Sequence, residues 1–175
     1  LFVMYLGPLE QNKPWNYTAI QGMKRFLDNV IKINITKQEN EKAVYDFNIM
    51  QEKILQDMEK LKFNTAISSM IIFVNKYKEL PIILYKNLLI ILSFFAPHIC
   101  EFLYQEHIKD KKSINEEMFP EKIKTNYINT TSTLVVQING KKKEEIVLEY
   151  LINKDELNDF IETYKKENEI IAIKT

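Results

Sequence analysis

The chain has 175 residues, 46% of them hydrophobic, and its 24 basic and 24 acidic side chains cancel. That length holds one domain, or one and a small appendage, and that apolar share excludes a disordered chain. The balanced total gives no sign of a polyanionic partner, and the single Cys100 excludes an internal disulfide and fits a reducing compartment. Tripeptides of the glycosylation type begin at Asn16, Asn34 and Asn129; with no secretory signal they read as chance matches in an Asn-rich chain, and a cytoplasmic location is expected. The first residue is Leu, so the sequence is expected to be a piece of something longer.

Leu1–Trp15 starts apolar and then carries Gly7-Pro8 and Pro14, the pattern of an irregular connector with Trp15 as a packing anchor. Thr18 and Gln21 fit a capping box that opens a helix, in which Ile20, Met23, Leu27 and Val30 form one apolar stripe. Lys24, Arg25, Asp28 and Lys32 lie off that stripe and form either a solvated face or a face that contacts phosphates. A long helix is expected over Lys37–Phe63, with Ala43, Phe47, Met50, Ile54, Met58 and Leu61 recurring every three or four residues. Asn64-Thr65 can cap a third helix, striped by Ala66, Met70, Phe73 or Val74, and Tyr77.

Pro81 then opens the stretch around which the chain is organised. Leu88–Ala96 is apolar apart from Ser93, and Pro97-His98 break the run. A membrane span needs about 20 apolar residues, roughly twice what is present, so the stretch reads as the central helix of a soluble core. Pro97 suits the first turn of a new helix, from which Ile99, Phe102 and Leu103 are expected to turn back onto the core, with His98 capping or packing. The result is a bundle of about five antiparallel helices with short connections.

After Ile108 the character changes. Lys109–Lys112 is a charged turn, and Glu116–Thr133 reads as a linker that lies on the bundle. Leu134–Ile138 is β-rich and ends at Asn139-Gly140, a strong hairpin signal, with a return strand over Glu144–Glu149. Asp155–Lys166 reads as a helix with Leu157, Phe160, Ile161 and Tyr164 on one side, and Glu169–Lys174 as a third strand. The fold class is therefore mainly α, an antiparallel helical bundle followed by a small α/β unit.

Catalytic and metal constellations are lacking in the sequence. His98 and His107 do not share a helix face, and with one Cys they make no ligand set. No Walker motif, dinucleotide fingerprint or Ser/His/Asp set occurs, so this piece alone is expected to catalyse nothing. Lys141, Lys142 and Lys143, read as lying on the tip of the hairpin, are either a solubilising cluster or contacts for nucleic-acid phosphates.

Met4–Trp15 (MYLGPLEQNKPW), Gly22–Val30 (GMKRFLDNV), Lys62–Asn75 with Phe95–Tyr104, and Val135–Lys141 (VVQINGK) together resemble the C-terminal part of a class I aminoacyl-tRNA synthetase of the bacterial leucyl type. Ser113-Ile114 and Phe119-Pro120 resemble that family's bridge between bundle and terminal domain. The resemblance implies residues 1–15 as a connector from the catalytic core, 16–110 as the helical anticodon-binding bundle, 111–132 as a linker, and 133–175 as a small α/β domain, cut short. It implies leucine tRNA as partner, together with catalytic and editing domains outside this chain. ATP with Mg would bind in that core, no cofactor in this chain, and no membrane would be involved. It leaves no catalytic residue to carry over. Lys24, Arg25, Lys32, Lys141, Lys142 and Lys143 become the candidate tRNA contacts, although Lys143 stands where the family has Arg and lacks its bidentate fork. The alternative reading is a helical docking module that touches no RNA, and a third is the product of a split gene.

Overall fold

The computed structural model describes residues 1–15, 17–108, 112–129, 132–138, 141–148 and 154–167. The chain divides into two compact units, Leu1–Tyr127 and Ile128–Thr175. The first holds α1 (Phe2–Tyr5), α2 (Tyr17–Ile31), β1 (Asn34–Thr36), α3 (Glu41–Glu59), α4 (Phe63–Lys76), β2 (Glu79–Pro81), α5 (Ile82–Ser93), α6 (Pro97–His107) and a 3-10 turn at Ile114–Glu116. The second holds β3 (Ser132–Ile138), β4 (Lys141–Leu148) and α7 (Lys154–Glu167). The fold is mainly α, as expected. No helix among the described residues is long and apolar enough to cross a membrane.

Helix α5 is the centre of the first unit. From Leu84 to Leu92 every residue except Lys86 is buried. A helix apolar on all sides has to be enclosed by other elements. α6, β1, β2 and the 3-10 turn lie closest to it, and α2 (Met23, Phe26, Val30), α3 (Ala43, Phe47, Met50, Ile54), α4 (Ala66, Ile67, Met70, Val74) and α6 (Cys100, Leu103, Tyr104) add buried side chains to the same core. Each fully buried Leu or Ile contributes roughly 1.5–3 kcal/mol of transfer free energy. Burial also pushes the Cys100 thiol up to about 12, so it is a packing group at neutral pH.

The break at Pro97 behaves as expected at the backbone and differently at the side chains. Ala96 caps α6 and Pro97 takes its first position, where a missing N–H costs nothing. The core face of α6 is Cys100, Leu103 and Tyr104, the i, i+3, i+4 pattern counted from Cys100. Phe102 falls between these positions and is 62% exposed, so its expected return to the core is corrected. His98 is exposed as well.

The ends of α3 carry further corrections. The helix starts at Glu41, not Lys37, because Asn40 caps it: its Oδ1 accepts the Ala43 N–H at 2.9 Å. It ends at Glu59, where the Lys62 N–H returns to the Asp57 carbonyl and the Leu61 N–H to that of Met58. This pair of bonds is a Schellman closure, and it places Leu61 at φ 54°, a left-handed conformation. Leu61 therefore leaves the apolar stripe and is 59% exposed. Helix α4 begins at Phe63 without a side-chain cap, so Asn64-Thr65 lie inside it; the Thr65 hydroxyl donates to the Lys62 carbonyl at 2.9 Å. Helix α2 begins at Tyr17, which puts Thr18 within its first turn.

A two-stranded parallel pair, β1 with β2, ties the end of α2 to the start of α5 through Asn34↔Glu79, Ile35↔Leu80 and Thr36↔Pro81. Within the second unit β3 and β4 pair antiparallel from Ser132↔Leu148 to Ile138↔Lys141, with an irregularity after Val136. The expected turn residues Asn139-Gly140 and third strand Glu169–Lys174 lie outside the described residues.

Leu61 yields a direct test. A left-handed conformation costs a residue with a Cβ about 1–2 kcal/mol, and glycine avoids that cost. Leu61→Gly is expected to stabilise the chain by about 1 kcal/mol, read as a higher urea midpoint at unchanged m-value. A core leucine would instead lose about 2–5 kcal/mol on truncation.

Candidate nucleic-acid interface

Helix α2 turns Met23, Phe26 and Val30 inward, with Leu27 at the edge of that face. The opposite side presents Lys24 and Arg25, and Lys32 follows in the turn that closes the helix, its N–H on the Asp28 carbonyl; all three are exposed. Arg25 and Lys32 are two helical turns apart in sequence and share a face. Lys24 meets Asp28 at 3.5 Å with 78% of its side chain exposed, a pair worth only about 0.3–0.5 kcal/mol. Among the described residues neither Arg25 nor Lys32 has an ion-pair partner.

A pocket of about 330 Å³ adjoins this face. Tyr5 of α1, Gly22, Arg25 and Asn29 of α2, and Ile71 and Asn75 of α4 line it. The Asn29 amide Nδ2 donates to Asn75 Oδ1 at 3.2 Å across the two helices. Nothing in the local sequence announces this meeting, because the two residues lie 46 positions apart. The only local signal is that Asn29 follows Arg25 by four residues, one turn on the same side.

The route out of the bundle is an irregular strap, and side chains of α3 and α6 hold it down. Asn48 grips Ile123 from both sides: its Nδ2 donates to the Ile123 carbonyl at 2.7 Å and its Oδ1 accepts the Ile123 N–H at 3.1 Å. Gln51 donates to the Pro120 carbonyl, Lys122 pairs with Glu52 at 2.9 Å, and Glu41 accepts from Thr125 and from the Asn126 N–H. At the start of the strap the Glu101 carboxylate accepts the Ser113 hydroxyl at 2.9 Å and the Ile114 N–H at 2.8 Å. The Gln105 amide first, then the Ile114 N–H, hold the Glu101 carboxyl below the usual glutamate range, against a small opposing effect of burial and with help from Ser113. Its hold on the strap is therefore complete at neutral pH and is lost as pH falls through that lowered value. These bonds hold parts of residues 113–126 against α3 and α6, whereas Ser132 and Thr133, expected in the linker, belong to β3. Trp15, expected as an anchor, is 59% exposed; its ring meets those of Phe2 (5.2 Å between centroids) and Tyr17 (6.2 Å) in edge-on geometry.

The structure does not keep Lys141, Lys142 and Lys143 on a loop tip. They form the first three residues of β4, with Lys141 opposite Ile138 and Lys142 opposite Gln137. Lys143 falls at the irregularity in the register. The candidate residues thus divide into one set on α2 in the first unit and one on β4 in the second.

Residues 40–170 match the anticodon-binding domain of tRNA ligases. The chain belongs to that family. The particular proteins it is similar to are leucine–tRNA ligases, in line with the resemblance read from its motifs. It is 37% identical over 169 residues to that of Borreliella afzelii, covering 91% of this chain and 20% of the relative. It is 38% identical over 171 residues to that of Chloroherpeton thalassium, covering 90% of this chain and 21% of the relative. The chain therefore spans about a fifth of the length of the curated relatives it matches. Among solved structures, a LeuRS of Agrobacterium radiobacter, crystallised as a ternary complex with tRNA and LeuAMS, superposes with a TM-score of 0.60 over 97% of this chain and 24% of its own. At 21% identity that likeness concerns the fold.

The strap makes the testable point here. In Asn48→Ala, hydrogen exchange at the Ile123 amide is expected to accelerate at least about tenfold, while global unfolding shifts by no more than about 1–3 kcal/mol. Unchanged exchange at Ile123 would show that the strap does not depend on this grip.

Proposed function

We propose that this chain is the tRNA-binding portion of a leucine–tRNA ligase. The observation that carries the reading is the family match over residues 40–170. The exposed cations of α2 support it. In this reading residues 16–110 form the tRNA-binding bundle, 1–15 connect it to a catalytic region outside this sequence, 111–132 are the linker, and 133–175 form a small terminal domain. The mechanism is positional: the chain holds tRNA so that its 3′ end reaches a leucylating site elsewhere in the protein. ATP and Mg belong to that catalytic region, and translation places the protein in the cytoplasm. Lys24, Arg25, Lys32 and Lys141–Lys143 act as phosphate contacts, which set affinity and register and carry little sequence reading.

A second reading rests on a different observation. Val3, Leu9, Trp15 and Tyr17 are 67%, 57%, 59% and 76% exposed, a concentration of apolar surface in one short segment. Such a patch suits contact with another protein surface. Under that reading the chain is a docking scaffold of a synthetase and binds no RNA alone.

Titration of the chain with leucine tRNA at low and moderate salt separates the two. Each phosphate contact adds about 0.7–0.9 to the slope of log affinity against log salt. Neutralising Lys24, Arg25 and Lys32 together is expected to weaken binding and flatten that slope by about two to three units. Charge reversal at Lys141–Lys143 is expected to act in the same direction. Unchanged affinity and slope in both variants would remove these residues from the interface, and no binding by the folded chain would favour the scaffold.

A further inference from the structure

We infer that the pocket between α1, α2 and α4 receives the base of one unpaired RNA nucleotide, with Arg25 on its phosphate. This rests on the tRNA-binding reading and names a site within it. The first observation is Gly22. It lies inside the 15-residue helix α2, where glycine weakens a helix relative to alanine. An internal glycine is explained when a neighbour comes so close that a Cβ would clash. A Cβ built on Gly22 meets nothing within 4 Å, so the described structure contains no such neighbour. The helix gives up a side chain in front of open space, and that space is the pocket.

The second observation is the chemistry of the walls. The pocket measures about 330 Å³, at the small end of ligand sites. Tyr5 offers an aromatic ring and Ile71 an apolar surface, both suited to a flat base. Asn29 and Asn75 meet each other through one donor and one acceptor, which leaves the Asn29 carbonyl and the Asn75 amino group to address a base edge. An amide pair of this kind satisfies the mixed donors and acceptors of a nucleobase. An apolar protein side chain in the same place would strand both groups. Arg25 stands at the same wall, and its planar fork suits a phosphate. Lys24 precedes it in the helix, and Lys32 lies two turns further along the face of Arg25.

Gly22→Leu tests this, because it fills the pocket from the wall while keeping every charge. Two measurements are made, each on the wild type and on Gly22→Leu. The first follows the Asn29 and Asn75 side-chain amides and the Tyr5 ring by NMR as AMP, CMP, GMP or UMP is added. The second is the tRNA titration at two salt concentrations. At least one nucleotide is expected to shift the pocket signals of the wild type and none to shift those of Gly22→Leu. The tRNA affinity of Gly22→Leu is expected to fall about tenfold with the salt slope unchanged, since a lost base contact releases no counterions. Gly22→Ala, which adds one methyl and favours the helix, supplies the same comparison with a smaller loss if Gly22→Leu does not fold. Pocket shifts without tRNA binding would support the nucleotide site and defeat the tRNA reading. Equal tRNA affinity in wild type and variant, with no pocket shifts, would overturn the site, leave the tRNA reading standing and assign the pocket to a protein contact.

Discussion

From Leu84 to Leu92 helix α5 buries every residue but Lys86, and the first unit is arranged around that constraint. Leu84, Tyr85, Leu88, Leu89, Ile91 and Leu92 are fully enclosed. One neighbouring helix covers only part of the circumference of another, so α6, the β1–β2 pair and the 3-10 turn lie against α5, and α2, α3 and α4 complete the same buried core. Tyr85 shows the cost of that enclosure: burial, with smaller effects from Cys100 and Glu106, pushes its hydroxyl up to about 12, and its hydrogen-bond partner is the Val30 carbonyl at 3.5 Å. The same packing fixes the helices that carry the outer surface. Met23, Phe26 and Val30 lock α2 by one side, which leaves Lys24, Arg25 and Lys32 on the other.

A fixed scaffold also explains how irregular chain can be placed. Residues 117–127 have no regular secondary structure, and their backbone polar groups must find partners elsewhere. Asn48, Gln51 and Glu41, spaced along the outward side of α3, supply them. Glu101 performs the same task at the beginning of the strap. The chain thus leaves the first unit at a defined residue, Tyr127, whose ring lies 5.3 Å from that of Tyr45 of α3.

The long periodic features were legible in the residues. The stripes of α3 and α4, the enclosed α5 and the Pro97 break follow from spacing and from proline's missing N–H. What was not legible depended on phase or on distance along the chain. Pro97 restarts the helical count, so Phe102, apolar and near the core, falls outside the buried set that Cys100 defines. Leu61 continues the spacing of α3 but lies past its closure, where hydrogen bonds override hydrophobicity. The β1–β2 pair joins two three-residue segments far apart in sequence, too short for a period-two pattern to register. The basic residues of α2 could be placed off the apolar stripe, but the pocket beside them needs Tyr5 and Asn75 from other elements. The three lysines after Asn139-Gly140 were read as a tip because their charges masked their strand pairing.

The central claim is that the enclosed bundle presents α2 to RNA. The most direct measurement is hydrogen exchange along the whole chain with and without tRNA. The account predicts slowed exchange over residues 22–32, with residues 141–143 as a second patch. Protection confined to the backbone amides around Ile49 of α3 and Ile72 of α4, whose side chains are exposed, with α2 unaffected, would contradict it.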